Sequence, residues 1–208
     1  MRRAQWIALL LALLLACSGC SSQNSASSAS EGATTQESSS TAAVNTNTDV
    51  FSDRDFDTSY DEAESALIQL DGTSASCSSD AVQIDGTTVT IQDEGTYLLS
   101  GSLEDGMIVV DAEDTDKVQL VLNGVSIHSA SSAAIYIREA DKVFLTTASG
   151  SENTLSNGGS YVAIDEESNI DGVVFSKADL TLNGEGSLTI LGEETGHGVV
   201  SKDDLKVT

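Results

Sequence analysis

From Thr88 onward the chain advances in short apolar bursts. They are "TVTI" (Thr88–Ile91), "MIVV" (Met107–Val110), "VQLVL" (Val118–Leu122), "IYI" (Ile135–Ile137) and "VFL" (Val143–Leu145). "VVF" (Val173–Phe175), "LTL" (Leu180–Leu182) and "SLTIL" (Ser187–Leu191) follow. The bursts are rich in branched side chains, often alternate with polar residues, and are separated by Gly, Asp, Asn or Ser. That pattern predicts strands between turns. Beyond the leading apolar run, no stretch keeps a helical period for three turns, so an all-β chain is expected.

The bursts also repeat. "GVVFSKADLTL" (Gly172–Leu182) returns as "GVVSKDDLKVT" (Gly198–Thr208), with Ser176, Lys177, Asp179 and Leu180 recurring as Ser201, Lys202, Asp204 and Leu205. "TDKV" (Thr115–Val118) returns as "ADKV" (Ala140–Val143) at the same interval of about 25 residues, and a fixed interval of that size marks a stacked array. Such a lap accommodates three short strands and three turns. The expectation is a single-stranded parallel β-helix, a solenoid of about 25 residues per coil. It sets Val118 over Val143 and Leu180 over Leu205, and leads Asp141 to Asp179 across an insertion. Proline is absent, as suits strands paired on both sides. Gly124 and Gly184, each closing an "LNG", suit sharp corners. The chain stops at "LKVT" partway through a copy, which predicts a C-terminally truncated array with further coils downstream.

The first residues differ in kind. Arg2 and Arg3 precede an apolar run from Trp6 to Ala16 that is too short to span a bilayer, which reads as a secretory signal over 1–17. "LLLAC" (Leu13–Cys17) resembles a bacterial lipobox, with Cys17 as the lipidated residue and Cys20 the alternative; simple secretion is the other reading. Residues 18–48 are nearly all Ser, Ala, Thr, Asn, Gln and Gly, the composition of a flexible tether. Residues 49–208 then form one domain, placed at the extracellular face of the cell membrane by the lipid. Formal net charge is −24, which argues against nucleic acid and against an anionic membrane surface as partners. With Cys77 the one cysteine in the domain, no disulfide framework follows.

The acids raise two metal candidates. "DRDFDTSYDEAE" places Asp53, Asp55, Asp57 and Asp61 at the alternating spacing of a calcium loop. Thr58 stands where an EF-hand needs glycine, and the alternative is an acidic cap strand. Around the lysine repeat, Asp171, Asp179, Asp203 and Asp204 would stack about 4.8 Å apart in successive coils. They would repel unless Ca2+ sits between them or Lys177 and Lys202 neutralise them.

The ordered blocks "SDRDFDTSYDE" (Ser52–Glu62), Asp85–Ile127, "ADKVFL" (Ala140–Leu145), "SENTLS" (Ser151–Ser156), "FSKADLTLNGEGSLTI" (Phe175–Ile190) and "GHGVVSKDDLKVT" (Gly196–Thr208) carry a resemblance. The chain resembles a family of bacterial secreted carbohydrate-binding domain-containing proteins. The resemblance implies a right-handed β-helix shaped like pectate lyases, bound calcium, and cellulose-like or pectic polysaccharide as partner. Long loops on a rigid solenoid are where ligands are usually met, so Tyr161, Asp165 and Glu166 in the 149–171 insertion, with Lys177 and Lys202, are the candidate carbohydrate contacts. The resulting expectation is a monomeric, lipid-anchored, calcium-dependent, non-catalytic polysaccharide binder. A polysaccharide lyase, or a surface scaffold with a protein partner, are the alternatives. Arg138, Lys177 and Lys202 could be nominated as lyase bases, but none has a diagnostic neighbour. Trp6 leaves with the signal, so no indole platform remains.

Overall fold

The alternating bursts become strands whose inward members build one core. The computed structural model describes residues 50–159, 161–162, 169–192 and 196–208, all within the unit Asn45–Thr208. The expectations for the signal, the tether, Cys17 and Cys20, and for Asp165 and Glu166, lie outside the described residues.

A one-turn helix, α1 (Asp53–Phe56), precedes the strands. The first eight are β1 (Ala66–Gly72), β2 (Ala75–Cys77), β3 (Val82–Asp85), β4 (Thr88–Ile91), β5 (Gly95–Leu103), β6 (Met107–Asp111), β7 (Lys117–Ser129) and β8 (Ile135–Glu139). Then come β9 (Lys142–Thr147), β10 (Glu152–Asn157), β11 (Gly172–Ser176), β12 (Asp179–Gly184), β13 (Ser187–Leu191), β14 (His197–Ser201) and β15 (Leu205–Val207). They make two sheets. One has nine strands, ordered β15-β12-β9-β7-β5-β1-β2, with β10 joined to the far half of β7 and β13 joined to β10; the other has six, ordered β14-β11-β8-β6-β4-β3.

The single-stranded right-handed parallel β-helix of uniform coils is not what the chain forms. Two mixed, mostly parallel sheets take its place. Two hairpins break the parallel pattern: β1 pairs antiparallel with β2, and β3 with β4. Their cause is local. Gly72-Thr73 and Gly86-Thr87 are the central pairs of two tight turns that follow Asp71 and Asp85, with positive φ at each glycine, a strong short-range hairpin signal. The interval is not uniform either. Val118 does pair with Val143, and Leu180 with Leu205, both in parallel. Elsewhere Tyr97 pairs with Leu120 and Val109 with Tyr136, at shorter and longer spacings. Asp179 pairs with Lys142 rather than Asp141.

Ile68, Leu99, Ile108, Leu120, Leu122, Ile135, Leu145 and Leu180 belong to the main core and are at most 1% exposed. Burying each such side chain contributes about 1.5 to 3 kcal/mol, so this packing outweighs any single polar contact on the surface. Every residue of β9 is buried, outward Phe144 and Thr146 included. A strand buried on both faces needs a cover, and α1 supplies it. The Arg54 guanidinium carbon lies 4.4 Å from the centre of the Phe144 ring, and the Arg54 Nη2 donates to Gln119 Oε1 at 3.0 Å.

Candidate functional site

Alternation also decides what the outer face of the six-stranded sheet presents. In β4, Val89 and Ile91 enter the core while Thr88 and Thr90 face out; in β8, Ile135 and Ile137 enter while Tyr136 and Arg138 face out. Register lines these up across the sheet: Thr90 beside Val109, Val109 beside Tyr136, Tyr136 beside Phe175.

A groove of about 520 Å³ lies over this face. Its floor holds the hydroxyls of Thr88 and Thr90, the amides of Gln83 and Gln92, and the apolar strip of Met107, Val109 and Tyr136. Ser131, Ser132 and Val162 wall one side. The wall is tied down where the Val162 N–H donates to the Ser131 carbonyl at 2.7 Å. At the other side Arg138 pairs with Asp111 at 3.1 Å. Beyond Tyr136 the face is roofed, since Ile170 packs with Tyr136 and Phe175, and Tyr161 packs against them. A floor of hydroxyls and amides beside apolar side chains can hydrogen-bond a polyhydroxylated chain and shelter its C–H surfaces.

The model of the carbohydrate-binding domain-containing protein family matches residues 85–208, the stretch that supplies every groove residue named above except Gln83. The chain belongs to that family. A carbohydrate-binding domain-containing protein of Acetivibrio thermocellus is 35% identical over 130 residues, covering 62% of this chain and 45% of the relative. A solved structure, the polysaccharide lyase-like protein from C. thermocellum in a gadolinium derivative, superposes with a TM-score of 0.65 at 33% identity. It covers 69% of this chain and 58% of its own. The chain therefore spans about half the length of the relatives it matches.

The residues picked out by acid spacing scatter. Asp55 is 0% exposed, and its carboxylate is held by protein donors. Lys142 Nζ donates to Oδ1 at 2.6 Å, the Thr181 hydroxyl to Oδ1 at 2.7 Å, and the Ser52 N–H to Oδ2 at 2.8 Å. Lys206 Nζ stands 3.5 Å from Oδ2. Burial pushes the Asp55 carboxyl up, but the Lys142, Ser52 and Thr181 hydrogen bonds outweigh it and hold the group below the usual carboxylate range. Asp57 is exposed and accepts from the Ser59 hydroxyl at 2.6 Å and the Ser59 N–H at 3.0 Å, which lowers its pKa. Asp61 accepts from the Ala63 N–H, and Asp53 faces solvent.

Near the lysine repeat, Asp179 and Asp203 both accept from the Asp204 N–H, at 3.2 and 3.1 Å. Asp171 lies at the edge of the roofed region, where its Oδ1 and the Tyr161 hydroxyl are buried without a hydrogen-bond partner among the described residues. Burial, then the nearby Asp171 carboxylate, push the Tyr161 hydroxyl up. Lys177 and Lys202 are exposed, with Lys202 Nζ 5.2 Å from the centre of the Phe175 ring. Among the described residues no three His, Cys, Asp or Glu side chains come together as a metal group. Those residues, with Asp55 taken up by lysines, do not fit a calcium ion.

The groove residues Gln83, Thr88, Thr90 and Gln92 were not singled out from the sequence. The one signal available was alternation, which marks them as outward-facing without saying that their strands share a groove.

Proposed function

We propose that this protein is a non-catalytic polysaccharide-binding module held at the extracellular face of the membrane by a lipid on Cys17. An extended glycan would lie in the groove on the six-stranded sheet. The observation that carries the reading is the groove floor itself. Thr88, Thr90, Gln83 and Gln92 offer hydroxyls and amides in a row, with Met107, Val109 and Tyr136 beside them, in a chain of a carbohydrate-binding family. The described residues assign calcium no place in this reading, so chelation enters as an arm of the test.

The name of the solved relative, polysaccharide lyase-like, keeps lyase chemistry in view. In this chain the basic group of the groove is Arg138, whose guanidinium is engaged with Asp111. Arginine is not deprotonated in proteins, so proton abstraction would need another group. This favours binding over cleavage.

Titration of the secreted domain with cellodextrins and polyuronates, with and without EGTA, tests the reading. Binding without the absorbance of an unsaturated product supports it, and indifference to every glycan overturns it. Replacing Thr88 and Thr90 together by valine keeps volume and strand preference while removing two hydroxyls. Each hydrogen bond is worth about 0.5 to 1.5 kcal/mol, so affinity measured by calorimetry should fall by about tenfold with the melting temperature unchanged. Unaltered affinity would move the ligand off this floor.

A further inference from the structure

The cations of the described residues are divided in their roles. Arg54, Lys117, Lys142 and Lys206 are committed to Asp57, Asp141 and Asp55. Lys177 and Lys202 have no such carboxylate partner among the described residues, and they fall on one line with Arg138, which is paired with Asp111. Ile137 pairs with Ser176, and Ser176 with Ser201, so the next residue on each strand is one of these three cations. The ladder continues through them: the Lys177 N–H donates to the Ile137 carbonyl at 2.9 Å and the Lys202 N–H to the Ser176 carbonyl at 2.8 Å. Neighbouring strands in a sheet are about 4.8 Å apart. The row therefore sets a positive charge on each of three successive strands, β8, β11 and β14.

Two further observations place Arg138 and Lys202 on the outer face. Arg138 lines the groove, and Lys202 Nζ reaches back over the outward Phe175 ring. Arg138 is paired with Asp111, whereas Lys177 and Lys202 have no carboxylate within ion-pair distance among the described residues. The acids nearest in sequence, Asp179 and Asp203, accept from the Asp204 backbone instead. On a chain of net charge −24, an approaching polyanion is repelled over most of the surface, so a row of cations that starts at the groove with Arg138 decides where it can land.

Building on the groove reading above, we propose that Arg138, Lys177 and Lys202 are specificity-determining residues that read carboxylates along an acidic polysaccharide directly, side chain to sugar acid, with no bridging metal ion. The groove floor holds the chain by its hydroxyls; the row distinguishes a charged chain from a neutral one. Contacts of this kind are exposed and screened, so the preference must fade with salt.

The test compares a polyuronate with its methyl-esterified form, which keeps the backbone and removes the charge, and with a neutral glucan, each with and without EGTA and at low and high NaCl. Wild-type protein should bind the acid form more tightly than the ester, and the preference should shrink as salt rises. The K177Q/K202Q double variant should lose about tenfold in affinity for the acid form and none for the ester, while K177R/K202R keeps the preference. An unchanged acid preference in K177Q/K202Q, its disappearance in EGTA, or its loss in K177R/K202R overturns the row. If wild type binds the ester or a neutral glucan without preferring the acid form, only the row falls. If wild type binds none of the three glycans, the groove reading falls and takes the row with it.

Discussion

Asp55→Asn is expected to be among the most damaging single substitutions in the domain. The carboxylate is fully buried and flanked by Lys142 and Lys206. Removing its charge leaves two ammonium groups close together, of which Lys142 is 8% exposed. Breaking a buried pair by deleting one partner costs about 3 to 5 kcal/mol, chiefly because the surviving charge is stranded. For a domain of this size that lowers the melting temperature by roughly 10 °C. Adding Lys142→Met to Asp55→Asn should recover part of the loss, as a double-mutant cycle would show. A change below about 1 kcal/mol would mean that the lysines simply swing into water. The same carboxylate gives acid sensitivity. Its folded pKa is depressed below the ordinary 3.8, so its stabilisation is complete above that value and is withdrawn as pH falls below it. Unfolding monitored from pH 6 down to pH 2 should show wild type losing stability below about pH 4, with Asp55→Asn losing less.

The second large effect separates two glycines that look alike in the chain. Gly124 and Gly184 each close an "LNG", and both have positive φ, 75° and 115°. At Gly124 an added Cβ would meet nothing within 4 Å, so Gly124→Ala should cost only the conformational strain, about 1 to 2 kcal/mol. At Gly184 the Cβ would lie 2.3 Å from the Thr147 carbonyl oxygen and 2.4 Å from its nitrogen. Backbone cannot swing aside as a side chain does, and these two strands are paired. Gly184→Ala should therefore cost about 3 kcal/mol or more, read by chemical denaturation of the two variants side by side. Equal losses would show that β12 can slide away from β9.

The two glycines show what a sequence can and cannot disclose. Copies of "DKV" and "SK-x-DL" are close in wording, and they placed Val118 against Val143 and Leu180 against Leu205 because parallel register brings equivalent positions together. The same repeat was overextended into uniform coils. Asp71-Gly72 and Asp85-Gly86 carry a hairpin signal as strong as any in the chain, and the antiparallel pairs follow from them. The "DRDFD" run was legible as an oxygen-rich loop but not as a clasp. Lys142, the partner of Asp55, is 87 residues away, and alternating carboxylates say nothing about distant ammonium groups. The groove escaped notice for a related reason. Threonine and glutamine on the outward side of short strands are ordinary, and their meaning appears only when register places them side by side.

The Asp55 clasp also bears on how the chain is made. Its carbonyl accepts from the Thr208 hydroxyl across 153 positions, and its carboxylate reaches Thr181 across 126. Residues emerge from the ribosome at about 5 to 20 per second. The leading segment therefore waits many seconds before its anchoring strands exist. Contacts this distant along the chain slow the search for the native state. Until Lys206 and Thr208 are translated, Asp55 lacks two of the partners that hold the leading segment in place.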